Sequence, residues 1–214
     1  MRNEVDRNKV TSMFKEIFGR QMDIQHPSVR VTPELITIGR AQIPNNGQKT
    51  SMMLLPSHVP VLEQMLLTNH PVILTGDSST GKRSLVRLVS DLTEKVLIEY
   101  NLSPGSDLGD LLGSFEQTES GEFAWVESSL VQAARQGHWV LLRHANLCLA
   151  SVLDRLNSLL EPGGSLLIAE RGQVGNADYI ITPHEGFRVF LTYNPRYGEV
   201  SRALRNRCVE LSLS

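Results

Sequence analysis

Cysteine is almost absent from this sequence. Cys148 and Cys208 are the only two, and their spacing matches no metal-ligand pattern, so a disulfide framework and a zinc finger are both excluded. They read as reduced thiols of a cytosolic or nuclear protein. No apolar run approaches the roughly 18 residues of a membrane-spanning helix, and the N-terminus is too polar for a secretory signal. Neither sign of charge dominates. The formal net charge is -2 with 21% charged residues, which gives no electrostatic reason for a nucleic-acid or membrane partner. The histidines are scattered, with no helical i, i+4 pair to make a metal site. There is no Gly-x-Ser-x-Gly elbow, so Ser78, Ser79 and Ser84 are not read as nucleophiles. Internal repeats and low-complexity tracts are also missing.

What is present is ordinary globular material: 214 residues, 41% of them hydrophobic. That is enough for one sizeable α/β domain with a small appendage. Residues 1–53 read as a lead-in. A short helical pattern (Val10, Met13, Phe14, Ile17, Phe18) stops at Gly19. A small edge hairpin over residues 29–43 follows, and Asn45-Asn46-Gly47 is a turn or linker. The compact domain is expected over residues 54–214. There, helical patterns at 59–67, 82–92, 108–112, 130–134 and 151–160 alternate with apolar runs at 72–74, 96–100, 139–142 and 189–192. A hairpin is expected at 166–169 and 179–181 around Gly175-Asn176, and a last strand at 209–213. Near-continuous apolar strands alternating with helices argue a parallel sheet covered on both faces, a three-layer α/β sandwich.

The strongest motif is Val72-Ile-Leu-Thr-Gly-Asp-Ser-Ser-Thr-Gly-Lys-Arg-Ser84. An apolar strand ends in a Gly-x4-Gly-Lys loop, and an amphipathic helix pattern (Leu85, Leu88, Val89, Leu92) follows. The glycines let backbone N–H groups wrap phosphates, the helix start favours anions, and the lysine reaches the outer phosphates. Gly76, Asp77, Ser78, Ser79, Thr80, Gly81, Lys82, Arg83 and Ser84 are therefore the expected nucleotide-binding residues, and Ser84 is expected to start the helix.

Two features depart from a hydrolytic phosphate loop. The residue after the lysine, normally the Ser or Thr whose hydroxyl holds Mg²⁺, is Arg83. The downstream apolar strand His138-Trp-Val-Leu-Leu-Arg-His144 ends without its Asp-Glu pair. Arg143 stands where a metal-binding Asp is needed, and His144 where a water-aligning Glu is needed. Replacing carboxylate by guanidinium changes the local charge by two units. At about 5 Å and an effective dielectric near 20, each unit is worth roughly 3 kcal/mol against a monovalent charge, and more against a divalent one. No metal site is expected. Lys82, Arg83 and Arg143 are instead candidates to neutralise a triphosphate directly, because arginine pairs well with phosphate. The alternative is that Arg143 turns away and pairs with a carboxylate.

Several longer segments carry a family resemblance. They are Leu108-Gly-Asp-Leu-Leu-Gly-Ser-Phe-Glu-Gln117, Phe123-Ala-Trp-Val-Glu-Ser-Ser-Leu-Val131, Ala145-Asn-Leu-Cys148, Val152-Leu-Asp-Arg-Leu-Asn-Ser-Leu-Leu-Glu-Pro162 and Pro195-Arg-Tyr-Gly-Glu-Val-Ser-Arg-Ala-Leu-Arg-Asn-Arg207. Through them residues 54–214 resemble the large α/β subdomain of AAA+ ATPases of the dynein-related, MoxR-like group. Within that group the likeness is to modules of the midasin family of ribosome-assembly ATPases. The lead-in segments around Asp6–Val10 and Phe14–Gly19 resemble the connection between successive modules.

The resemblance implies a P-loop NTPase fold, ATP as ligand, neighbouring AAA+ modules in a ring as partners, pre-60S ribosomal particles as cargo, and a nuclear location. It implies that Asn194 is the sensor-1 residue and that Arg207, with Arg205 next in line, is an arginine finger acting in trans. The 166–181 hairpin corresponds to the family's pre-sensor insertion. The family's helical lid is absent from this sequence, and a long insertion expected near Gln117–Gly121 is short. Three functions remain open: a degenerate module that binds ATP without cleaving it, an active ATPase with an altered metal site, and a nucleotide-independent interaction module with a relic loop.

Overall fold

The computed structural model describes residues 28–32, 34–45, 55–172 and 179–213. The expected N-terminal helix, the boundary near residue 54 and the Gly175-Asn176 loop lie outside these residues. The chain forms two compact units. Among the described residues, one comprises those up to 69 together with 79–95 and 212–213, the other 70–78 and those of 96–211.

The first unit opens with three short antiparallel strands, β1 (Val29–Val31), β2 (Leu35–Ile38) and β3 (Ala41–Pro44), in the order β1-β2-β3. The sequence pattern predicts two strands here, not three. The extra reversal is the two-residue turn Gly39-Arg40, which joins the paired residues Ile38 and Ala41. Gly39 sits at φ +60°, a left-handed conformation that such tight turns need and glycine supplies without strain. Helix α1 (His58–Leu67) contacts β2 and β3. Its Glu63 carboxylate accepts from the backbone N–H of Arg40 at 2.9 Å and from its Nε at 3.0 Å. Helix α2 (Lys82–Leu92) buries Leu85, Val86, Leu88, Val89 and Leu92 and packs on α1. That spacing is the apolar stripe of an amphipathic helix.

The second unit is an α/β sheet structure. In chain order it contains β4 (Val72–Gly76), β5 (Leu97–Asn101), α3 (Leu108–Leu112), β6 (Gly113–Gln117), β7 (Phe123–Glu127), α4 (Ser129–Gln136), β8 (Trp139–Arg143), α5 (Ala150–Leu153), β9 (Leu166–Leu167), β10 (Ile180–Ile181), β11 (Arg188–Tyr193), α6 (Arg202–Arg205) and the first three residues of β12 (Val209–Leu213). The main sheet has five strands in the order β12-β4-β11-β8-β5. The β4–β11, β11–β8 and β8–β5 pairs run parallel. Every residue of β4 and β11 is buried, as central parallel strands require. On one face Ile73, Val140, Leu142, Val189 and Leu191 join Leu130, Val131, Ala133 and Ala134 of α4, together with Leu153, Leu156 and Leu160.

Local signals explain the element ends. Ser128 caps α4 by accepting from the Val131 N–H, and Gly137 closes that helix at φ +75°. The helix predicted over 151–160 is α-helical only to Leu153, and Asp154–Leu160 winds as a 3₁₀ helix. The Asn157 Nδ2 to Asp154 Oδ1 bond at 3.1 Å links residues three apart, which the tighter winding places on one face. The β6–β7 hairpin has no strand prediction behind it. Its Phe115 and Trp125 meet edge to face, with ring centroids 5.2 Å apart. Trp125 also packs against the core that contains Leu130 and Val131.

The connections set where a ligand can enter. From β4 the chain runs to the far edge strand β5, whereas from β11 it runs to the opposite edge, β12. The C-terminal ends of β4 and β11 therefore flank a topological switch point, where open α/β sheets bind ligands.

Candidate functional site

In register, Thr75 of β4 lies beside Tyr193 of β11, so the residues that follow, Gly76 and Asn194, emerge side by side at that switch point. Strand β4 ends at Gly76 (φ +146°), the loop passes Ser79 at φ +66° and Gly81 at φ +84°, and α2 starts at Lys82. A left-handed serine is uncommon and carries strain of order 1–2 kcal/mol. Alternating left-handed residues turn successive backbone N–H groups toward one concavity, the geometry of an anion-binding nest. The Lys82 Nζ folds back over this loop to the Thr80 hydroxyl at 3.2 Å. Helix α2 begins with no side-chain cap. Ser84 lies in its first turn and is not its starting residue. Asp77, Ser78, Ser79, Arg83 and Ser84 are exposed, and Thr80, Gly81 and Lys82 are half-buried.

Beneath the loop lies a residue that motif reading passes over. His58, the first residue of α1, is only 4% exposed. A Cβ placed on Gly81 would stand 3.2 Å from His58 Cε1 and 3.7 Å from Nε2. Nδ1 accepts from the Leu55 N–H at 3.4 Å, and the buried Nε2 has no hydrogen-bond partner of full geometry. Burial holds the His58 pKa below its usual value, with the Thr80 backbone opposing the shift.

On the sheet side Asn194 is buried at the end of β11. Its Nδ2 donates to the Ser78 hydroxyl at 3.4 Å, and its Oδ1 accepts from the Arg196 N–H at 3.0 Å. Arg196 reaches Asp77 of the loop at 2.6 Å. Both partners of that pair are largely exposed, so it adds at most about 1 kcal/mol. Asn146 ties the turn from behind: its Nδ2 donates to the Asn194 carbonyl at 2.9 Å and to the Gly198 carbonyl at 3.0 Å. The polar residue at position 194 thus contacts the phosphate loop directly, through Ser78.

Arg143 ends β8, half-buried, in register with Thr192 and Asn101. Among the described residues it makes no ion pair. His144 is exposed and left-handed at φ +56°. Guanidinium groups offer only N–H donors, so neither Arg83 nor Arg143 supplies an oxygen for a divalent cation. Their chemistry fits a phosphate and does not fit a magnesium shell.

Residues 71–208 match the model of the AAA domain, dynein-related subfamily. The chain belongs to this family. It is similar to midasin from Dictyostelium discoideum, 36% identical over 141 residues or 61% of this chain, and to midasin from Giardia intestinalis, 47% identical over 106 residues or 50% of this chain. It spans 2% of the length of each of these two relatives. An uncharacterised protein of Staphylococcus saprophyticus is 25% identical over 71% of this chain and 58% of its own length. The solved structure of a candidate ATPase from Cytophaga hutchinsonii aligns over 74% of this chain and 46% of that one, at 17% identity and a TM-score of 0.52. That likeness supports the fold alone. Membership of the AAA family implies nucleotide binding.

The C-terminal arginines of this AAA domain are engaged within their own chain. Arg207 binds Glu161 through Nε at 2.8 Å and Nη2 at 2.6 Å, and donates to the Ala203 carbonyl at 2.7 Å. Arg205 bridges Glu199 and Glu210, both at 2.8 Å. Glu210 also accepts from the Tyr193 hydroxyl at 3.0 Å. Burial, and then that bond, push the Tyr193 pKa up to about 12. Among the described residues no helix is long and apolar enough to cross a membrane.

Proposed function

We propose that this chain is an AAA+ module that holds ATP on its phosphate loop without a coordinated magnesium ion and does not cleave it. The reading is supported by left-handed backbone at Ser79 and Gly81 in a loop that carries Lys82, and by a sequence that has Arg83 and Arg143 at the two positions where the motif needs an oxygen donor for a metal. The loop residues Gly76 to Ser84 bind the phosphates. Asn194, in contact with Ser78, is the sensor of the outer phosphate, and the positive side chains take over charge that a metal ion would otherwise neutralise.

The similarity to midasin supports a wider role, as one member of a ring of AAA+ modules that matures pre-60S ribosomal particles in the nucleus. Arg207 is the arginine finger offered to the nucleotide of a neighbouring module. Its ion pair with Glu161 opens when that neighbour docks. Residues 1–53 act as the lead-in to the nucleotide-binding domain at 54–214. The experiment that tests the nucleotide reading is ATP titration by calorimetry with magnesium and with EDTA, paired with a phosphate-release assay. Saturable binding in both conditions, lost in Lys82→Ala, with no phosphate release supports it. Turnover that depends on Lys82 overturns it in favour of an active ATPase.

A further inference from the structure

His58 is a buried titratable group to which the nucleotide reading gives no task. Three observations make it more than a core histidine. Its ring lies against Gly81, the glycine that shapes the phosphate loop just before Lys82. Its Nδ1 accepts from Leu55, so the neutral ring carries its proton on Nε2. That Nε2 is sequestered from water and meets no acceptor at strict hydrogen-bond geometry; its looser contact is with the backbone of Thr80, itself a loop residue, which already favours the protonated ring. A buried donor held by one imperfect contact is a standing loss of stability that a stronger contact would recover.

We propose that His58 is a proton-linked supporting residue of the phosphate loop: when the phosphates of a nucleotide fill the loop, a proton is drawn onto its imidazole. The inference rests on the nucleotide reading. The physical reasoning begins with charge. Without a ligand, desolvation favours the neutral ring, and the first turn of α2, which follows Gly81, carries cations and no carboxylate. On α1 the carboxylate of Glu63 is taken up by Arg40. Strands β2 and β3, the other elements packed on α1, carry no titratable side chain within their ranges. Seating a polyanion on the loop reverses the balance. Phosphate oxygens a few ångströms beyond the loop backbone favour the imidazolium in a medium of low dielectric. The new charge turns the loose Nε2–H contact with the Thr80 backbone into a charge-assisted bond that holds the loop in its binding conformation. The balance is simple: one proton moves from solvent to Nδ1, the weak Leu55 contact is given up, and no covalent bond changes.

Linkage makes this measurable from either side. If ATP raises the His58 pKa, acid raises the ATP affinity by the same factor. The direct test follows the assigned His58 ring resonances of the whole chain by NMR from pH 5 to 8 in EDTA, with and without saturating ATP. The expected result is a His58 pKa higher by about 1 with ATP bound, a tenfold coupling. An unchanged or lower pKa overturns the inference. The second arm compares ATP affinity of the wild type with that of His58→Phe across the same range, so that titration of the ATP phosphates cancels in the ratio. The wild-type advantage should grow about tenfold toward acid, and a constant ratio contradicts the proposal. Should His58→Phe not fold, the wild-type NMR measurement decides alone. ATP binding with a stationary His58 pKa removes this inference and leaves the nucleotide reading intact, whereas no saturable binding at any pH removes both.

Discussion

Asn146 offers a sharp test of how the sheet side of the site is built. Its single amide nitrogen holds two carbonyls, those of Asn194 and Gly198, at 2.9 and 3.0 Å. The side chain is half-buried, so water replaces these bonds poorly when it is lost. At about 1 kcal/mol net for each bond, Asn146→Ala should destabilise the fold by about 2 kcal/mol, a fall in Tm of roughly 4–8 °C for a chain of this size. Asn146→Asp keeps the volume and removes both donors. At neutral pH its carboxylate faces two carbonyl oxygens, so the loss should exceed that of alanine. Below about pH 4 the protonated acid regains one donor, and the gap should narrow. Urea denaturation at pH 7 and pH 3.5, read by far-UV circular dichroism, gives the three stabilities. If Asn146→Asp is as stable as Asn146→Ala at pH 7, or if either loses less than about 0.5 kcal/mol, the tie between this residue and the Asn194 turn carries no weight.

Further outcomes follow from the same geometry. Gly164→Ala should lose about 1–3 kcal/mol in denaturant titration, because its Cβ would overlap the backbone carbonyl of Ser158. Glu161→Gln should change stability by under about 1 kcal/mol, since the Arg207 pair is substantially solvent-accessible; a larger loss in thermal melting would make Arg207 a structural residue. The folded chain keeps His58 neutral by burial. Its pKa is lowered in the folded state, so the unfolded chain binds more protons once the pH drops below about 6.5, and stability should fall with acid from that point. In wild type, denaturation midpoints from pH 7.5 to 5 should show this slope, and His58→Phe should flatten it. Burial pushes the Cys208 thiol pKa up to about 12, so alkylation at pH 8 should be slow in the native state and fast after unfolding.

The parts that were legible in the sequence share one property: their signal is local. Strands β4, β8 and β11 announce themselves as apolar runs because central parallel strands are buried on both faces. The phosphate loop is legible because glycine, lysine and helix follow one another directly. Asn194 is legible because it ends an apolar strand. The rest depends on partners far away in the chain. Asn146 looks like any polar loop residue until β11 brings its turn alongside. His58 becomes notable only when the loop glycine closes over it, and an apolar helix start gives no hint of that. The β6–β7 hairpin was missed because Phe115, Phe123 and Val126 remain exposed, which erases the alternation that marks a half-buried strand. The change from α to 3₁₀ winding at Asp154 depends on side-chain bonds, including that from Ser201 to Asp154 at 2.7 Å, which no periodicity reveals.

The proposed function turns on metal: it takes Arg83 and Arg143 to replace the oxygen ligands of a magnesium ion. Calorimetric titration of ATP into the intact chain, in excess magnesium and again in EDTA, tests it most directly. The account predicts saturable binding with the same affinity in both, abolished by Lys82→Ala. Binding that appears only with magnesium would contradict it.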